Sequence, residues 1–150
     1  MTAPANTPPL PLPPLSGSAR TWGTLALSAA TFMNVLDTSI ANVSLPAIAG
    51  DLGVSPTQGT WVITSYAVAE AITVPLTGWL AGRFGAVRVF VTSMAMFGLA
   101  SMLCGFSNSL GMLVAARILQ GLAGGPLMPL SQTLLLRIFP KEKAAAATAL

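Results

Sequence analysis

The chain has 150 residues, of which 53% are hydrophobic and 7% charged, a net charge of +3 and a mean hydropathy of +0.74. A soluble domain carries about a quarter of its residues as charges, so this composition excludes one and points to a bilayer, and the seven Lys and Arg are too dispersed for the basic face that nucleic-acid binding needs. With no His and a single Cys, there is neither a disulfide framework nor a recognisable zinc site; Cys104 lies in an apolar run and reads as packing.

The first segment, MTAPANTPPLPLPPLSGSAR, holds most of the prolines. Each removes a backbone donor and disfavours helix in its predecessor, so residues 1–21 are expected to be a disordered tail. It lacks the basic and apolar regions of a signal peptide. Four segments then have the roughly twenty apolar residues that cross a bilayer: 22–48, 58–81, 87–107 and 111–137. The expected fold class is an all-α membrane protein. Short connections make neighbouring helices antiparallel. The second helix has a marked start, with Ser55 as cap, Pro56 in the first turn and Gln58 completing a capping box.

Loop charges predict an orientation. Arg20 precedes helix one, Arg83 and Arg88 lie between helices two and three, and Arg137, Lys141 and Lys143 follow helix four, while the other two loops have no Lys or Arg. By the positive-inside rule the N-terminus, the 82–88 loop and the 138–144 segment are cytoplasmic. The final KEKAAAATAL reads as the start of a fifth helix, so the chain is expected to be the N-terminal fragment of a longer protein.

Helix one carries Asp37 among Thr31, Asn34, Thr38, Asn42 and Ser44, all within an arc of roughly 160° at about 100° per residue. That stripe faces protein or water rather than lipid. On helix two Tyr66, Glu70, Thr73 and Thr77 share a face; on helix four Arg117, Gln120, Gly121, Gly124 and Met128 do. Three polar faces imply a common interior, in which a buried Arg117 takes a buried carboxylate as its partner. Thr73 and Thr77 read as bonding the preceding turn, Gly121 and Gly125 as a close-packing GxxxG pair, and Pro75, Pro126 and Pro129 as kinks. Ionisable groups in a membrane helix point to function by default, which singles out Asp37, Arg117 and Glu70. Burial favours the neutral acid and a nearby cation the ionised one, so a carboxylate whose surroundings alternate can bind and release a proton.

These residues carry a family resemblance. LDTSIANVSLP resembles the first-helix signature of the fourteen-helix drug:proton antiporter group of the major facilitator superfamily. GWLAGRFGAVRVF, residues 78–90, is similar to the superfamily loop motif G-x-L-A-D-R-x-G-R-K, and LVAARILQGLAGG, residues 113–125, to its fourth-helix motif around R-x-x-Q-G. The whole chain after the tail is most similar to EmrB-type multidrug exporters. The resemblance implies a two-bundle transporter in a bacterial inner membrane that exports hydrophobic small molecules by alternating access. It would use the proton gradient and no cofactor. Asp37 and Arg117 would serve proton coupling, Asn34, Tyr66, Glu70 and Gln120 the proton or substrate site, and Gly78, Arg83, Gly85 and Arg88 a cytoplasmic gate loop. In Gram-negative cells a periplasmic adaptor and an outer-membrane channel would be partners. The loop departs from its motif, with Gly82 in place of the acid and Ala86 and Val87 in place of the Arg-Lys pair. Two rival readings are an exporter of a metabolite or self-made antibiotic from the same superfamily, and a small four-helix dimeric exporter.

Overall fold

A computed structural model describes residues 17–138, which form helices and connections; among the described residues there is no strand. Helix α1, Ser18–Asp51, runs through Pro46 without a break. It is longer than the expected 22–48, and residues 18–21, assigned to the tail from sequence, are its first turn; residues 1–16 lie outside the described part. The capping box at Ser55 is present, with the Gln58 amide donating to Ser55 Oγ (3.2 Å) and the Ser55 amide donating to Gln58 Oε1 (3.1 Å). It caps a separate short helix, α2 (Pro56–Gly59), after which α3 runs from Trp61 to Phe84. Helix α4 spans Ala86–Gly105.

The expected fourth helix is two helices, α5 (Leu110–Gly124) and α6 (Leu127–Ile138). Pro126 has no N–H to continue the ladder, and it comes after Gly124 and Gly125, which hold helix weakly. The interruption is local, since Gly125 keeps helical angles (φ −52°, ψ −43°): Arg117, Gln120, Gly121 and Gly124 are buried, as are Leu127, Ser131 and Leu134, but Met128, predicted to share the face of the first four, is exposed. Pro46 and Pro75, by contrast, sit inside unbroken helices. The 138–144 cationic segment, apart from Ile138, and the fifth helix lie outside the described residues.

Sharp reversals occur where glycine supplies a positive φ, at Gly53 (63°) after α1 and Gly85 (89°) between α3 and α4. The bundle is antiparallel in succession. At one end Gly59 faces Ala49 and Leu45; at the other Gly23 faces Ile138. Helix α5 packs against α3 and α4, and α1 against α6. The core is small, built of Leu27, Tyr66, Phe90, Phe97, Leu127 and Leu130 with their neighbours. Large apolar side chains remain exposed over the whole surface, including Trp22, Phe32, Val43, Trp61 and Phe106, far beyond what a water-facing monomer leaves open.

Two helical stretches are long and apolar enough to cross a membrane by composition, Ala86–Gly105 and Leu110–Ile138. Helices α1 and α3 have 34 and 24 residues, long enough at about 1.5 Å per residue to exceed a 30 Å hydrocarbon core. Their polar stripes, containing Asp37 and Glu70, account for their lower hydropathy.

A buried charge network as the candidate functional site

The polar faces of α1 and α5 meet at mid-helix. Arg117 Nη1 donates to Asp37 Oδ2 at 2.6 Å and to Gln120 Oε1 at 2.9 Å. Gln120 Nε2 in turn donates to Asp37 Oδ1 (2.9 Å) and to Ser101 Oγ of α4 (2.7 Å), while Cys104 Sγ lies 3.6 Å from Gln120 Oε1 and donates to it. The carboxylate therefore has both oxygens engaged, one by the cation and one by the amide. Arg117 and Gln120 are one turn apart on α5, so a single helical face presents both to Asp37. The Asp37 side chain is 18% exposed and that of Arg117 8%, and this is the one ion pair among the described residues. A buried pair of this kind needs further hydrogen bonds to offset desolvation; Gln120, fully buried, engages the second carboxylate oxygen and the Arg117 Nη1, while Arg117 Nε has no partner among the described residues.

The structure brings Asp37, Arg117 and Gln120 together; the sequence reading expected a buried carboxylate beside Arg117 and set Gln120 with the proton or substrate site, and it missed Ser101 and Cys104. Their signal was weak: a Ser and a Cys at i, i+3 on an otherwise apolar helix. Cys104, read from sequence as packing, contributes a hydrogen bond.

One turn along α1, Asn34 and Tyr66 converge on Gly124, where a Cβ would lie 3.2 Å from Asn34 Nδ2 and 3.0 Å from Tyr66 Oη. Both side chains are buried, and neither atom has a hydrogen-bond partner among the described residues. Both lie within electrostatic reach of the Glu70 carboxyl. Other members of the predicted stripes are structural or peripheral. Thr73 Oγ1 donates to the Ala69 carbonyl (2.9 Å) and Thr77 Oγ1 to that of Thr73 (3.2 Å). Asn42 is exposed, its amide turned back to the Thr38 carbonyl at 2.9 Å.

Gly121 and Gly125 face α3 at the closest approach of two backbones. A Cβ on Gly121 would collide with the Tyr66 carbonyl oxygen, and one on Gly125 would stand 3.0 Å from that of Glu70. At the α3–α4 turn, Gly78, Gly82 and Gly85 border an open space of about 520 Å³ that also reaches Arg137. Arg83 and Arg88 are exposed, with Arg83 lying 5.9 Å from the centroid of the Phe84 ring. Neither makes an ion pair among the described residues. A separate groove of about 370 Å³ between α3 and α5, lined by Trp61, Val68, Ile72 and Ile118 among others, is mostly apolar, and Glu70 does not line it.

The family model of the Major Facilitator Superfamily matches residues 27–150. The chain belongs to this superfamily. Among its curated relatives, the multidrug export protein EmrB of Haemophilus influenzae is 57% identical over 91% of this chain, and EmrB of Escherichia coli K12 is 56% identical over 91%. The fatty acid resistance protein FarB of Neisseria gonorrhoeae is 56% identical over 92%. The chain spans 27% of the length of each of these relatives. Membership of this superfamily sets aside the small four-helix dimeric exporter and agrees with the all-α reading.

Proposed function

We propose that the chain supplies the proton-coupling part of an exporter of hydrophobic compounds that works by alternating access. All four long helical stretches cross the bacterial cytoplasmic membrane, and the N-terminus is cytoplasmic. The observation that carries this reading is the Asp37–Arg117–Gln120 network. A proton on Asp37 Oδ2 turns that oxygen from an acceptor for Arg117 into a hydroxyl donor. Gln120 still donates to Oδ1, but the guanidinium is left with Gln120 Oε1 alone. A buried cation that has lost its counter-charge costs several kcal/mol, which is enough to change the balance between two states of the bundle. Substrate then need only bind the two states unequally. No covalent step or cofactor is involved, and the protein is not an enzyme.

The names of the relatives support the substrate class: multiple drugs for the EmrB export proteins, fatty acids for the FarB resistance protein. A periplasmic adaptor and an outer-membrane channel are the partners this reading implies. An exporter of a self-made metabolite would use the same network. The test is transport by the purified full-length protein in proteoliposomes with an imposed pH gradient. Uphill movement of a hydrophobic dye that collapses with the gradient is expected; movement that only equalises concentrations would contradict proton coupling.

A further inference from the structure

The half-open space at the α3–α4 turn takes no part in the Asp37–Arg117–Gln120 network. Its wall sets Gly78 and Gly82 of α3 and Gly85 of the turn against Thr133 and Arg137 of α6, and its volume of about 520 Å³ is that of a small-molecule pocket. A Cβ on Gly78 or Gly82 would meet nothing within 4 Å, so there is room at the very position where the superfamily loop motif carries its acid. The lining hydroxyls are already spent: Thr77 Oγ1 donates to the Thr73 carbonyl (3.2 Å) and Thr133 Oγ1 to that of Pro129 (2.8 Å). Arg137 is therefore the side-chain donor left in the wall, and it makes no ion pair among the described residues. The described acids, Asp37, Asp51 and Glu70, do not line the space. Helix α4 opens beside it at Ala86, with no side-chain cap and no acid in its first turn, so its free amide hydrogens add positive potential. The space is built for an anion.

The aromatic residues of the same stretch fix its depth. Trp79 and Phe84 are exposed and meet edge to face with ring centroids 6.3 Å apart, and the Arg83 guanidinium stands against the Phe84 ring. Exposed Trp next to an Arg marks the boundary between hydrocarbon and headgroups. Val74 in the wall is exposed, as are Val87 and Leu136, each next in sequence to a lining residue. A ligand here meets a free cation and bilayer-facing apolar side chains together. We propose that the space is the seat of an anionic phospholipid. Its phosphate and glycerol occupy the room left at Gly82, Arg137 binds the phosphate oxygens through its fork of N–H donors, and its acyl chains lie along the exposed apolar side chains. Basic pockets between transmembrane helices at this depth suit such headgroups. The inference depends on the chain lying in a bilayer and not on the proton-coupling reading.

Native mass spectrometry of the purified, delipidated full-length protein in detergent resolves bound lipids one at a time. Dioleoylphosphatidylglycerol is the anionic probe, and dioleoylphosphatidylcholine is the zwitterionic one with the same chains. The first phosphatidylglycerol is expected to bind about five- to tenfold more tightly than the first phosphatidylcholine, the advantage of one well-placed cation. Arg137→Gln removes that preference. So does Gly82→Asp, which puts a carboxylate into open space and serves if Arg137→Gln does not fold; neither alters phosphatidylcholine binding. Arg88→Gln deletes the same charge from an exposed residue outside the wall and is expected to change the preference by less than about twofold. Equal loss in Arg88→Gln and Arg137→Gln would reduce the effect to diffuse surface attraction, and displacement by millimolar inorganic phosphate would make the ligand a free anion; either overturns the assignment. Absence of any preference in the wild type overturns it as well, and if Arg137→Gln then also lowers thermal stability, an acidic side chain from beyond residue 150 fills the space instead.

Discussion

Gln120 is the residue through which three helices are tied. Its carbonyl oxygen accepts from Arg117 and Cys104, and its amide nitrogen donates to Asp37 and Ser101. Leu at this position keeps the volume and removes all four bonds, leaving charged groups under-satisfied in a buried site. Unmade hydrogen bonds of this kind cost about 1–3 kcal/mol, more when charged. Gln120→Leu in the full-length protein is therefore expected to lower the detergent unfolding midpoint and to abolish coupling, whereas Cys104→Ser, which keeps a donor at the same place, should change the midpoint little. Equal midpoints for wild type and Gln120→Leu would reduce Gln120 to filler. Asp37, Arg117 and Gln120 were legible in the sequence because charges and amides are conspicuous in apolar helices. Ser101 and Cys104 were not, since small polar side chains occur on any membrane helix and only the tertiary crossing shows which meet an amide.

At the scale of elements, the α3–α5 crossing is set by two glycines one turn apart. A methyl on Gly121 meets backbone rather than a flexible side chain, so the helices must separate. Gly121→Ala is expected to destabilise by about 1–3 kcal/mol, the usual cost of overpacking. Gly111→Ala, at the start of the same helix and with nothing within 4 Å, should be neutral or slightly stabilising, as Ala is favoured over Gly in a helix by about 0.5–1 kcal/mol. Chemical unfolding of the two variants side by side checks this, and indistinguishable curves would refute a tight crossing. Helix existence followed from apolar run length, and the described residues are helical apart from short connections. Boundaries did less well: polar Ser18–Thr21 extends α1, because residues outside a hydrophobic run can still continue a helical ladder, and the break at Gly125–Pro126 hid inside a continuous apolar run. The prolines at 46, 75 and 126 look alike in sequence, and only at 126, next to two glycines, does the helix end.

Over the whole molecule, the orientation proposed from the loop cations would put the α3–α4 turn on the cytoplasmic side and the α1–α2 connection outside. With Cys104 replaced by Ser, an impermeant thiol reagent added to intact cells should label Gly53→Cys and spare Ala86→Cys in the full-length protein; labelling of Ala86→Cys would reverse the topology. Four long helical stretches in antiparallel order, with exposed apolar side chains all round, were readable from hydropathy and loop length, while the meeting of Asp37 with Arg117 across 80 residues was a prediction only because lone buried charges need partners. That meeting is the centre of the account, and Asp37→Asn isolates it. The amide keeps the size of the neutral acid but exchanges no proton. In proteoliposomes of the full-length protein, Asp37→Asn should still bind the dye and lose all uphill transport driven by a pH gradient, whereas accumulation against the gradient with unchanged proton dependence would show that the coupling proton is carried elsewhere.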